Sequence, residues 1–247
     1  MASNGPMTIA NNNNNNNNNN SDDNAASLES FFVGWIQRQE QFLDQLISAQ
    51  ADDCEDSERE DLITRVLAHY QQYYEEKSRF GRRNIFMLFN PPWFTPFELA
   101  FFWIAGFNPD LAFRLVSDSI RDLTEEQSQS IERLRGEIRM EEKMLNDDMA
   151  RIQERVAAPP IMEMARRFGR MREVDIVDDV SVNDGVRSEM EVLVANADSL
   201  RTSTAAKLVE ILSPSQKVRF LTAATKLQLR IRNWGLERER NKNETTE

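Results

Sequence analysis

Trp93-Phe94-Thr95-Pro96-Phe97-Glu98-Leu99-Ala100-Phe101-Phe102-Trp103-Ile104-Ala105-Gly106-Phe107-Asn108-Pro109-Asp110-Leu111-Ala112-Phe113-Arg114-Leu115-Val116 is the most apolar and most aromatic run of the chain. Its punctuation is helical. Thr95 is a good N-cap, Pro96 suits a first helical turn, and Glu98 completes a T-x-x-E capping box. Gly106 can end that helix, and Asn108-Pro109 repeats the cap-plus-proline start for another. The run therefore predicts a tight aromatic helical hairpin. Trp93, Trp103 and Phe113 are read as its core anchors, and the rest of the chain must supply the faces that cover them.

That rest is polar and acidic. Of 247 residues, 40% are apolar and 29% charged, with eight glycines and eight prolines, a balance that suits helices better than a many-turned β sandwich. A net charge of −11 argues against general affinity for nucleic acid or anionic membranes, while leaving a basic protein partner open. Cys54 is the single cysteine, so an internal disulfide or a cysteine-based metal cluster is not expected. The apolar run carries Glu98, Asp110 and Arg114 and is broken by Pro96, Gly106 and Pro109, so it does not read as a membrane span. No signal peptide is visible, and the expected location is the nucleus, with the cytoplasm as the alternative.

Outward from the hairpin, apolar residues recur at helical steps. Leu28, Phe31, Phe32, Trp35, Ile36, Phe42, Leu43, Leu46 and Ile47 predict an amphipathic helix over 28–47. Ser57 and Glu60 read as a capping box opening a helix over 57–78, which holds the sole histidine, His69, as a packing or surface residue. Between them, Asp52, Asp53, Glu55 and Asp56 read as a solvated loop. Thr124 and Gln127 cap a long helix to about 157, with Ile131, Leu134, Ile138, Leu145, Met149, Ile152 and Val156 forming a heptad-like seam. That seam admits a homodimer through 124–156, but packing within its own domain is the expected use. Further helices are expected over 186–212 and, behind a Ser213–Gln216 box, over 214–235. The last is basic and amphipathic, with Phe220, Leu227, Ile231 and Trp234 as inward anchors. Ile161–Met171 reads as a short helix, Arg166–Arg172 as a basic patch on a solvated face, and 173–185 as an acidic loop. The ten asparagines Asn11–Asn20 and the absence of lysine and arginine mark 1–26 as a disordered tail. The chain thus divides into that tail, a helical domain over 27–236 and a charged tail over 237–247. The fold class is all-α, a single multi-helix bundle.

Catalytic constellations are not found. His69 and Cys54 have no nucleophile elbow or matching partner in sequence, and neither a phosphate-binding glycine loop nor a strand to carry one is present. Zinc lacks ligands. No catalytic, cofactor-binding or metal-ligating residue is assigned, and no enzyme activity is expected. A basic region running into heptads is missing too, since the first cation of the chain is Arg38.

Three stretches together resemble the plant Delay-of-Germination domain, also found at the C-terminal side of TGA basic leucine zipper factors. They are Ser30-Phe31-Phe32-Val33-Gly34-Trp35 through Leu46; the Trp93–Val116 run with Trp93, Pro96, Glu98, Trp103, Gly106, Pro109 and Phe113-Arg114-Leu115; and Leu200-Arg201 through Leu212-Ser213-Pro214-Ser215-Gln216 to Trp234-Gly235. The resemblance implies a stand-alone, non-enzymatic regulatory domain acting through protein contacts in transcriptional control, abscisic-acid responses, seed dormancy or development. The partners it implies are other regulators, TGA-type zipper factors or signalling phosphatases. Sequence-specific DNA binding of the TGA-related type is the alternative, though direct DNA contact is not expected without the zipper. A small-ligand sensor, with an apolar molecule among the aromatic helices, is the further alternative. Haem association in the family uses histidines of the closing helix; Gln228 and Arg232 stand in that helix here, so no cofactor is expected.

Overall fold

The computed structural model describes residues 15–51, 54–156 and 177–246. Seven α-helices account for most of them: α1 Asn15–Ser48, α2 Asp56–Gly81, α3 Pro96–Leu99, α4 Asp110–Ser119, α5 Glu125–Val156, α6 Val177–Ile211 and α7 Pro214–Thr246. A 3₁₀ turn at Phe86–Phe89 links α2 to the double proline before α3. Among the described residues the only β feature is an isolated bridge between Phe102 and Phe107. The chain is an all-α bundle, as its periodicity predicts.

One hydrophobic core runs through it. α1, α2 and α7 pack on one another, α3 and α4 lie against α7, and α5 pairs along its length with α6. Trp35 is fully buried; its Nε1 donates to the His69 carbonyl at 2.9 Å and its ring stacks on the imidazole at 4.5 Å. The α5 seam residues Ile131, Leu134, Ile138, Leu145 and Ile152 are buried within the single chain, which is the intramolecular use expected for them.

Two predicted capping boxes also tie helices together. Gln127 Oε1 accepts from Thr124 N at 3.0 Å, and Gln216 Oε1 accepts from Ser213 N at 3.0 Å. The two glutamines then meet, Gln127 Nε2 donating to Gln216 Oε1 at 2.8 Å, which pins the start of α5 to the start of α7. The box expected at Ser57–Glu60 is not formed. α2 starts one residue earlier, behind Glu55, and Glu60 pairs instead with Lys217 at 2.7 Å.

Helix ends differ from expectation where local composition is weak. α1 starts at Asn15, so 15–26 are helical rather than tail, because adding a residue to a formed helix costs little even for a poor former such as asparagine. α6 starts at Val177, inside the expected acidic loop. α7 continues through Gly235 to Thr246, so the expected charged tail is helical as far as that residue. Residues 1–14 and 157–176, with the basic patch and the short helix expected there, lie outside the described residues.

The largest correction concerns the aromatic run. Its first helix is one turn, Pro96–Leu99, and the chain then forms a small hairpin instead of a helical one. Ile104 and Ala105 have φ of 42° and 58°, and Phe102 faces Phe107 across them. Those are the φ signs of a tight I′-type turn, where Asn-Gly is the usual pair. The carbonyls of this turn are taken by a side chain from α6, which holds it in the hairpin form. Trp93 and Phe113 are core residues as expected; Trp103 is only half-buried and donates from Nε1 to Asn146 Oδ1 at 2.7 Å.

Candidate functional site

The aromatic run is held by two arginines. From α6, Arg201 Nε donates to the Phe107 carbonyl at 2.6 Å and Nη2 to those of Ile104, at 2.9 Å, and Trp103. Its Nη1 reaches Asp198 at 2.6 Å. Gly106 is needed for this approach rather than to end a helix, since a Cβ there would lie 3.0 Å from Arg201 Cζ. From α7, Arg232 Nη1 donates to the Trp93 carbonyl and to Glu98 Oε1, both at 3.2 Å. Glu98 meanwhile closes its predicted box, accepting from Thr95 N at 2.8 Å. Here α7 comes so near that a Cβ on Gly235 would stand 2.0 Å from Thr95 Oγ1.

Behind this clasp lies a cavity of about 350 Å³ between α2, the 102–109 loop, α4, α6 and α7. Phe94, Phe102, Leu115 and Phe220 line it, and the small side chains Ala112, Ala205, Ala206 and Ala224 among them leave the space open. Its polar fittings are densest on the α2 wall, with Asn108, Thr202 and Gln228 contributed by other elements. Tyr70, Tyr73, Tyr74 and Lys77 of α2 line it together with Arg201. Burial holds the three phenols above their ordinary range, so they stay protonated at neutral pH. Lys77 Nζ donates to Asp198 Oδ1 at 2.8 Å, and burial brings its pKa down to about 8. At the α1 side, Gln39 is fully buried, bonding to the Tyr70 hydroxyl and, at 3.1 Å, to Thr225 Oγ1, while its Oε1 has no partner.

A second candidate is on the surface. Phe101 and Trp234 are 43% and 48% exposed, so Trp234 is not the inward anchor expected of it. Phe97 lies between them, 5.2 Å and 6.4 Å away by ring centroids, with Arg238 over its face at 5.0 Å and Arg230 over Trp234 at 5.5 Å. This patch joins α3 and the residues after it to α7, which holds eight lysines and arginines against three glutamates in a chain that is acidic overall.

Metal and haem chemistry find little to work with. Among the described residues no group of three or more His, Cys, Asp or Glu could hold a metal ion, and no described helix is long and apolar enough to cross a membrane. Gln228 lines the cavity and Arg232 is committed to Glu98, while His69 stacks on Trp35 and does not line the cavity. The residues present do not fit a histidine-ligated haem.

Comparison with known proteins decides the family. The family model DOG1, described as seed dormancy control, matches residues 42–118. The chain is 36% identical over 221 residues to Protein RESPONSE TO ABA AND SALT 1 of Arabidopsis thaliana, covering 86% of this chain and 96% of that protein. The chain belongs to the DOG1 family. It is also 36% identical over 214 residues to Protein ZW2 of the same plant, covering 84% and 95%, and 23% identical over 208 residues to Transcription factor TGA2.3 of Oryza sativa subsp. japonica, covering 84% and 63%. The residues that carry the DOG1 resemblance now have physical duties. Arg201 clasps the hairpin, Ser213 and Gln216 join two helix starts, and Gly235 lets α7 lie against Thr95.

Sequence reasoning assigned no site residues and missed Lys77 and Gln39. Both were visible as polar residues on apolar helical steps. Gln39 falls between Trp35 and Phe42, and Lys77 continues Tyr70, Tyr73 and Tyr74.

Proposed function

We propose that this protein is a non-enzymatic plant regulator working through protein–protein contacts, in the nucleus, in transcriptional control or abscisic-acid and developmental signalling. The end-to-end likeness to RESPONSE TO ABA AND SALT 1 carries this reading. The exposed Phe97–Phe101–Trp234 patch supports it, because aromatic and arginine side chains are the usual anchors of protein interfaces. Other regulators, TGA-type zipper factors among them, are the partners to seek. Affinity capture from plant nuclei with the full chain tests this against a Phe101→Ser/Trp234→Ser variant. Partners retained by the native chain and lost by the variant, at unchanged melting temperature, are the expected result; a native chain that retains none sinks the reading.

The second reading is a sensor of a small apolar ligand, favoured by the cavity, whose volume lies in the range of small-molecule sites. Native mass spectrometry of freshly purified protein is expected to show a co-purifying small molecule; bare protein in every preparation counts against it. Sequence-specific DNA binding is the weakest reading for a chain of net charge −11. A gel shift that survives physiological salt with the purified protein would revive it.

A further inference from the structure

Within the second reading, on which this inference rests, we propose that the cavity takes an apolar organic acid, its anionic group seated on Lys77 Nζ. The argument starts from the buried charges. Lys77 and Arg201 are cations and Asp198 is the carboxylate both bind, at 2.8 Å and 2.6 Å, so the cluster holds a surplus of one positive charge. Lys77 is only 4% exposed, and a buried cation without its full share of counter-charge is costly. The nearest other carboxylate on the clasp, Glu98, is already paired with Arg232.

The two cations differ in freedom. Arg201 is tied to the carbonyls of Trp103, Ile104 and Phe107 as well as to Asp198, and turning it away would release the hairpin. Lys77 has three N–H donors, and among the described residues its hydrogen bonding is to Asp198 alone. It lines the cavity, so its remaining donors have that space to serve. The three protonated tyrosines on the same wall bring no competing negative charge. Beyond this wall the lining is mostly aromatic and aliphatic, with Asn108, Thr202 and Gln228 as its polar members, and suits a compact apolar body. A neutral ligand of the same body would fill the space and leave the surplus charge uncompensated. An acid does both.

The test uses two fluorescent probes that share an anilinonaphthalene body, 8-anilinonaphthalene-1-sulfonate and the neutral N-phenyl-1-naphthylamine, titrated into the full chain. The sulfonate is expected to bind more tightly by roughly tenfold or more, as a charge-assisted contact in an apolar site implies. Lys77→Met should bring the two dissociation constants to within about twofold of each other without weakening the neutral probe, and Lys77→Arg should keep the preference. Ala224→Phe, which fills the cavity, should weaken both probes. A sulfonate preference that is absent, or that persists in Lys77→Met, overturns the head-group assignment while neutral binding lost in Ala224→Phe keeps the cavity reading alive. Probes that bind equally well to Ala224→Phe, or not at all to the native fold, overturn both.

Discussion

The aromatic run has two sides that are built on opposite terms. On the clasped side, polar groups are matched closely, with backbone carbonyls on Arg201, Glu98 on Thr95 and Arg232, and glycines where a methyl would collide. On the cavity side, the same run presents Phe94, Phe102 and Leu115 to space left by alanines, beside a lysine with hydrogen-bonding capacity to spare. Close packing is the rule on the clasped side, so a pocket of this size on the same run asks for a reason. The contrast teaches that the chain rigidifies the frame of the cavity and leaves its contents to something else. The clasp should therefore tolerate little, and the cavity much.

Arg201→Ala attacks the clasp directly and should have the largest effect. It strips three carbonyls of a donor and leaves a left-handed Ile104–Ala105 turn without support. Removing one partner of a buried ion pair costs about 3–5 kcal/mol, which chemical denaturation of the full chain would read as a lowered midpoint. A loss under about 1 kcal/mol would mean that the hairpin holds itself. Gly235→Ala comes next. Its Cβ would stand 2.0 Å from Thr95 Oγ1, and overpacking of this kind costs about 1–3 kcal/mol despite alanine's better helix propensity. Thr95→Ala should offset part of that loss in the double variant; strictly additive effects would place the clash elsewhere.

The legibility of these regions from sequence follows the same division. Boxes at Thr95–Glu98, Thr124–Gln127 and Ser213–Gln216 were readable because capping is local chemistry at fixed spacing, and the core faces because burial imposes a period. The hairpin was not readable. Ile104-Ala105 carries none of the Asn-Gly signal of such a turn, since the conformation is imposed by Arg201 from 97 residues further on. Trp234 misled for a related reason: its spacing places it on the inner stripe, but it is Gly235 that meets Thr95, and Trp234 is left exposed beside Phe97. The cavity was invisible because a void is what several distant small residues fail to fill, and no periodicity records it.

A smaller effect probes how dry the cavity wall is. Trp35 lines the cavity, and His69 stacks behind it, 3% exposed, with Nε2 unpartnered. Burial, helped by Arg38, lowers the His69 pKa from 6.5 to about 4. The unfolded chain therefore takes up a proton as pH falls through 6.5 while the folded chain does not, so stability falls with falling pH until about 4. This adds at most about 1.4 kcal/mol per pH unit to the acid slope. His69→Phe, which keeps an aromatic ring against Trp35, should flatten the slope in that window. Equal slopes would show that water reaches the wall.

The smallest effect should come from the cavity itself, and it completes the contrast. Ala224→Leu adds three carbons to a helix that already favours leucine, and it adds them toward empty space rather than toward Thr95 or Arg201. Stability should change by less than about 1 kcal/mol, with a gain more in keeping with the cavity than a loss, because the new side chain gains burial and displaces nothing. Adding a single methyl at Gly235 is expected to cost more, about 1–3 kcal/mol. A loss at Ala224 as large as that at Gly235 would mean that the cavity wall is packed as closely as the clasp, and that the space between α2, α4, α6 and α7 is not available to a ligand.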